Sequence, residues 1–480
     1  MSESFLFYDL ETFGQDPRRT RIAQFAAMRT DAQLRPVEEP ISFFVKPARD
    51  LLPSPEATVV TGITPQQALR EGITEADAFA RIQEEMARPG TCTVGYNSLR
   101  FDDEFVRFGL YRSFLDPYEQ WWRGGNSRWD LLDVLRMAHA LRPDGIAWRT
   151  REDGRGTSFR LEHLALDNDV REGVAHEALS DVRALIGIAR RLRAAQPRLW
   201  DYALRLRDKR HVGGLLDITG MQPLLHVSGR FGADRLNAAA VVPLTLHPVY
   251  PQRAIAFDLA SDADALLALD ADALRERLYT PSALLSEGPV RVALKEIHFN
   301  RCPALFEWRH LREPDFLRLG IDRALVEATA HRLRGHGPVL AEKVRQVYAS
   351  TAPAARLDVD AALYEGFFDE ADRRLFQRLR STPPEQLGLL RLPFRDRRIK
   401  VLLFRHRARN WPQTLDAGER DRWNAYRRER LADTRLSEYS FASFDASVSA
   451  LREAHADDAH KLGLLDELQR WRDGIAEELA

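Results

Sequence analysis

At 480 residues the chain is too long for one hydrophobic core, so two or three domains are expected. Its 70 basic and 71 acidic side chains leave a formal net charge of −1, which excludes a polycation that coats nucleic acid by bulk charge; a nucleic-acid site must be a local patch. Cys92 and Cys302 fit neither a disulfide framework nor a zinc site, Met1–Leu6 lacks a basic stretch leading into an apolar one, and no apolar run reaches the roughly 20 residues of a membrane span, so a cytoplasmic setting is expected.

From the N-terminus, FLFYDLET, RIAQFAAMRTD and ISFFVKP are apolar or alternating runs joined by short polar turns, which predicts three strands in an antiparallel meander. TPQQALREG and TEADAFARIQEEMARPG carry helical spacing, TCTVGYN reads as a further strand, and a helix follows over about 101–114. An amphipathic helix over about 176–195, stopped by Gln196-Pro197, closes this mixed α/β region. From about 197 to 349 the pattern turns to short apolar runs, LLHVSG, AAVVPLTLHP, AIAFDLA and VRVALKEIHF, broken by Gly and Pro; a small β-barrel or sheet with a few helices fits. STAPAARLDV marks the next border, and from Tyr364 to Ala480 helix follows helix, which predicts an all-α domain.

Three short segments carry chemistry. Asp9 and Glu11 are two apart on the first strand, so both carboxylates point to the same side of it. Adjacent anions repel unless a cation lies between them, and an oxygen-only donor set favours Mg2+, with Mn2+ as a possible substitute. Asp-x-Glu pairs are also common at exposed strand ends. In Asn97-Ser98-Leu99-Arg100-Phe101-Asp102 a strand ends and a helix begins. Asp102 lies at the strand's C-terminal edge, where sheet-based sites gather ligands, but the position also suits an N-cap, and Asp103 and Glu104 are neighbouring candidates.

In His176-Glu177-Ala178-Leu179-Ser180-Asp181, five helical steps rotate about 140°, so His176 and Asp181 cannot share one face of a regular helix. Their roles separate: Asp181, fixed on the helix, suits a metal ligand, and His176, in the first turn or the loop, suits a base that takes a proton from water at neutral pH. Together the segments fit two-metal phosphodiester hydrolysis without a covalent protein intermediate.

The order Asp-x-Glu, Asp, His-x4-Asp resembles the DEDDh exonuclease superfamily, whose fold is ribonuclease-H-like. FLFYDLETFG, GYNSLRFDDE, NSRWDLLDVLR, SFRLEHL, HVSGRFGA, RERLYT and RARNWPQTL are similar to segments of the bacterial exonuclease I family over nearly the whole chain. The resemblance implies an α/β fold in three parts: a ribonuclease-H-like exonuclease domain of mixed sheet and helices at 1–195, a Src-homology-3-like β-containing domain at 196–351, and an all-α C-terminal domain at 354–480 that closes a groove over single-stranded DNA. It further implies a monomeric enzyme that hydrolyses single-stranded DNA 3′→5′ with two Mg2+ ions, releasing 5′-mononucleotides in DNA repair and recombination.

Carried over by position, the resemblance makes Asp9, Glu11, Asp102 and Asp181 the metal-holding catalytic acids, with Asp102 preferred to Asp103, and His176 the general base. Glu11 and Arg160 contact the substrate, Arg160 at its terminal nucleotide. Arg107, Tyr118, Trp122, Arg136, Tyr202, Lys209 and Lys295 fall at DNA-contacting positions and combine phosphate-binding cations with rings on which bases stack. Trp121 and Trp129 look more like core residues. The family also docks the acidic C-terminal tail of single-stranded DNA-binding protein, for which Arg312, Arg323 and Arg334 are candidates. Two departures concern nucleotide stacking: Leu10 stands where close relatives are expected to carry an aromatic, and Ala238-Ala239-Ala240 replaces a more polar or aromatic loop.

Two rival readings stay open. One is an RNA-trimming or proofreading DEDDh nuclease, against which the two added domains speak. The other is a non-catalytic DNA-repair scaffold, against which the intact acid set speaks.

Overall fold

The structure is a computed structural model that describes residues 3–173, 177–280, 292–349 and 357–480. It opens with β1 (Ser4–Thr12), β2 (Ile22–Thr30), β3 (Ile41–Phe44), α1 (Pro55–Thr61), α2 (Pro65–Glu71), α3 (Glu75–Met86), β4 (Thr91–Gly95) and α4 (Asp102–Arg112). Next come β5 (Ser127–Asp130), α5 (Leu131–Leu141), α6 (Leu161–Asp167), α7 (Ala178–Ala195), α8 (Pro197–Arg205) and α9 (Lys209–Leu215). A second strand-rich stretch holds β6 (Leu224–Val227), β7 (Ala238–Leu246), β8 (Arg253–Asp258), α10 (Ala263–Ala268), α11 (Ala271–Tyr279), β9 (Leu294–His298) and β10 (Ala304–Glu307). Helices α12 (Glu313–Leu319), α13 (Arg323–Arg334) and α14 (Gly337–Ala349) precede α15 (Glu370–Ser381), α16 (Pro384–Leu387), α17 (Arg397–Asn410), α18 (Ala417–Ala432), α19 (Phe441–Ala454) and α20 (Ala459–Leu479).

The chain divides into two compact units. One comprises Met1–Ser127, Glu172–Arg183 and Arg356–Ala480; the other comprises Arg128–Arg171 and Ala184–Ala355. In the first, the expected meander is present as β3-β2-β1, and β4 joins β1 in parallel on its far side. Side chains alternate along β1, so Leu6, Tyr8 and Leu10 pack beneath Phe79 of α3 and Phe105 and Val106 of α4, which leaves Asp9 and Glu11 on the opposite side. Ser54, Thr64 and Thr74 accept hydrogen bonds from first-turn N–H groups of α1, α2 and α3, which fixes where those helices start.

The late helices share this unit through two apolar clusters. Phe108, Tyr111 and Phe114 pack with Leu363, Phe376, Leu379, Ile399 and Leu402, and Leu52 packs with Leu431, Phe444, Leu465 and Trp471. The same unit holds a buried ionic knot. Arg409 Nη2 donates to Asp50 Oδ2 at 2.8 Å and to Asp360 Oδ2 at 2.5 Å, while Arg405 Nη1 reaches Asp360 at 3.1 Å and Arg430 donates to the carbonyls of Asp50 and Arg19. These charges are tolerated in the interior because each carboxylate meets several guanidinium donors.

The second unit holds a five-stranded antiparallel sheet in the order β10-β6-β7-β8-β9. Val242, Ile255 and Phe257 of the sheet are covered by Val326, Leu333, Leu340 and Val344 of α13 and α14. Ala238–Ala240, which stand where the resemblance implies a more polar or aromatic loop in relatives, are the first residues of β7 and pair with Leu225–Val227. Their small side chains are fully buried, which is what a strand needs where another layer approaches closely. Both cysteines are free thiols, and no described helix is long and apolar enough to cross a membrane.

Candidate active site

Ligand oxygens of Asp9, Glu11 and Asp181 all lie within 4.8 Å of one another. Strand spacing puts the first two side by side, and Asp181 enters from the first turn of α7, where the helix dipole favours a carboxylate. Burial, and then the charges of Asp181, Asp102 and Glu177, raise the Glu11 carboxyl to about 8. Asp9 is raised well above the usual carboxylate range by burial, followed by Asp102, Glu11 and Asp181, with the Leu10 N–H acting in the opposite sense. Such crowding is unfavourable for carboxylates alone, and an oxygen-only trio at this spacing fits a hard divalent cation.

Among the described residues Asp102 is not part of that trio, yet its charge acts on both Asp9 and Glu11. The neighbouring Asp103 is turned elsewhere: Tyr8 Oη donates to its Oδ1 at 2.5 Å, and its N–H donates to the Ser98 carbonyl at 2.9 Å. His176 lies outside the described residues. Glu177 accepts from the Ser180 N–H at 3.0 Å and so helps start α7.

Of the expected DNA-contacting residues in this unit, Tyr118 and Trp122 line a groove of about 710 Å³, together with Phe367, Phe368, Arg373 and Arg374. Trp122 is 68% exposed and Phe367 80%, and the Tyr118 and Phe367 rings meet edge to face at 5.5 Å. Phe367 was not reached from sequence, although its aromatic pair, Phe367-Phe368, precedes a charged helix start in GFFDEAD. Arg107, expected at a DNA-contacting position, has partners within the protein. It is buried, donates to Glu104 Oε1 at 2.6 Å and to Tyr364 Oη at 3.3 Å, and lies over the rings of Tyr118 and Trp121. Trp121 and Trp129 are core residues, as their surroundings in sequence suggested.

In the other unit, Arg160 is exposed at the start of α6, with Glu162 at 3.4 Å, and Lys209 is exposed at the first position of α9. Arg136 donates to Asp133 at 2.7 Å, and Lys295 Nζ sits 3.7 Å over the Phe231 ring. Tyr202 is buried against Phe306, at 5.0 Å between ring centroids with the rings tilted by 54°. Arg312 pairs with Asp315, Arg323 with Glu327, and Arg334 donates to the Gly220 carbonyl.

A mixed sheet whose first strand presents two acids, met by a third from a helix start, fits the DEDDh exonuclease class. Family models match the chain as Exonuclease over residues 6–189, Exonuclease I SH3-like domain over 207–350 and Exonuclease I C-terminal domain over 357–475. Exodeoxyribonuclease I of Escherichia coli K12 is 45% identical over 473 residues, 98% of each chain, and that of Haemophilus influenzae is 43% identical over 470 residues, again 98% of each. Among solved structures, Escherichia coli exonuclease I in complex with a dA16 oligonucleotide superposes with a TM-score of 0.94 at 44% identity, covering 99% of this chain and 100% of that one. A moderately thermophilic exonuclease I from Methylocaldum szegediense gives 0.94 at 44% identity over 100% of both chains. The chain belongs to the exonuclease I family.

Proposed function

We propose that this chain degrades single-stranded DNA from its 3′ end, releasing 5′-mononucleotides, as a monomeric cytoplasmic enzyme of DNA repair and recombination. The observation that carries the reading is the carboxylate trio of Asp9, Glu11 and Asp181, with Asp102 close enough to act on it. Relatives named exodeoxyribonuclease I and a neighbour bound to a dA16 oligonucleotide support the substrate. We assign its parts as 1–195, 196–351 and 354–480.

Asp9, Glu11 and Asp181 would hold one divalent ion, and Asp102 would take part in holding a second. Mg2+, or Mn2+ in its place, supplies Lewis acidity at the scissile phosphate when bound. His176, just ahead of α7 in sequence, accepts the proton of the attacking water at a ring nitrogen. Tyr118 and Trp122 offer π-faces to successive bases without regard to sequence, and Arg160 steadies the terminal nucleotide. Arg136, Lys209 and Lys295 serve the phosphates, while Arg107 orders the groove wall through Glu104 and Tyr364. Arg312, Arg323 and Arg334, all exposed, are the proposed seat for the acidic tail of single-stranded DNA-binding protein.

The test is degradation of single-stranded DNA labelled at either end, with RNA and duplex as competitors, with and without Mg2+. Label should leave first from the 3′ end, only with divalent ion, and His176→Asn should lower kcat by about 10²–10⁴-fold. A strong preference for RNA, or full activity in Asp9→Ala and Asp181→Ala, would overturn the assignment.

A further inference from the structure

Asp9 and Asp102 each have a neighbour that points away from the metal site, and those neighbours are bonded to each other: Tyr8 Oη donates to Asp103 Oδ1 at 2.5 Å, with both side chains buried. This tie reaches the first turn of helix α4. The helix begins at Asp102 without any side-chain cap on its first turn, and the turn leading into it passes through Asn97 at φ +62°. The N–H groups of Asp103, Glu104 and Phe105 donate instead to the backbone carbonyls of Ser98 and Phe101, and the Tyr8–Asp103 bond adds a side-chain tie from this turn to β1.

The surroundings keep the tie tight. Ser98 also hydrogen-bonds the Tyr8 phenol, and a Cβ at Gly95 would stand 2.3 Å from Ser98 Cβ and 3.5 Å from the Tyr8 ring, so only glycine lets these groups close up. The bond lies on the α4 side of the sheet and takes no space on the side where Asp9 and Glu11 point.

We propose that Tyr8 and Asp103 are positioning residues that hold Asp102 at the metal site by clamping the first turn of α4 to β1. This rests on the reading of Asp102 as a metal-holding acid. Groups one layer behind a metal ligand commonly change metal affinity or activity about 10–100-fold when removed.

The test uses the full chain with Mn2+ as probe, its binding followed by electron paramagnetic resonance without DNA, beside the Mg2+ concentration for half-maximal activity and KM for single-stranded DNA. Tyr8→Phe and Asp103→Ala should each weaken Mn2+ binding and raise the Mg2+ requirement about 10-fold, with KM unchanged. Asp103→Asn, which keeps an acceptor oxygen for Tyr8, should stay near the parent. In an Asp102→Asn background Tyr8→Phe should have no further effect. The inference falls if Tyr8→Phe leaves Mn2+ affinity unchanged, or lowers it by the same factor with and without Asp102. If Asp102→Asn alone leaves Mn2+ affinity intact, the reading of Asp102 is what fails, and the inference falls with it.

Discussion

His406 sits inside the protein with the rings of Phe114 and Trp411 each 5.4 Å away, edge to face. Burial, partly opposed by the charge of Glu75 and reinforced by Arg409, pushes its pKa down to about 4. An unfolded histidine titrates near 6.5, so between the two values the unfolded chain binds the extra proton and the folded one does not. This contribution to stability is therefore complete above about pH 6.5 and lost as pH falls toward 4, on the order of 3 kcal/mol. Denaturant titrations at pH 7, 5.5 and 4 should reveal that loss, and His406→Asn should flatten it; an unchanged pH slope in the variant would assign the acid sensitivity elsewhere. Nothing in RHRARN marked this histidine, since its burial comes from residues far away in sequence. Asp9 and Glu11 were legible because a strand's period of two needs no tertiary knowledge. Choosing Asp102 over Asp103 was not, because neighbouring first-turn positions differ only in what faces them, and the partner of Asp103 is Tyr8, 95 residues away.

At the level of elements, α4 is set by how closely it approaches α3. A Cβ on Gly109 would stand 1.8 Å from Phe79 Cζ, so this glycine is where the two helices touch. Gly109→Ala gains intrinsic helix propensity, but the clash should outweigh it and destabilise the protein by about 1–3 kcal/mol, read from the denaturation midpoint. Stabilisation instead would mean that α4 moves freely, and the clamp on Asp102 would lose its rigid support. A mid-helix glycine in sequence looks like a weakness; only the packed pair gives its reason. The meander and the long helices were readable because their periodicity runs over many residues. The seven residues of α1 and the four of β10 were too short to carry a period.

For the molecule as a whole, the knot of Arg409, Asp50 and Asp360 joins the first hundred residues to the last. Removing one member strands buried charge, so Arg409→Met should lower stability by about 3–5 kcal/mol in denaturant unfolding. A loss below 1 kcal/mol would mean that the apolar clusters alone join these segments. Sequence pattern separated the early sheet from the late helices by composition, and that much is visible along the chain. Their union is not, because it depends on which arginine among 64 meets which aspartate.

This union makes the nuclease-bearing unit discontinuous, with all of Ala184–Ala355 threaded between its parts. A ribosome finishes β1 about 470 residues before it finishes α20. At 5–20 residues per second that is a wait of roughly 20–90 s. During it Leu52, Phe108 and Tyr111 have no late helices to cover them. The nascent chain thus carries its acids in an unfinished frame, and a nuclease competent to cut can form only after the helices that close it have emerged.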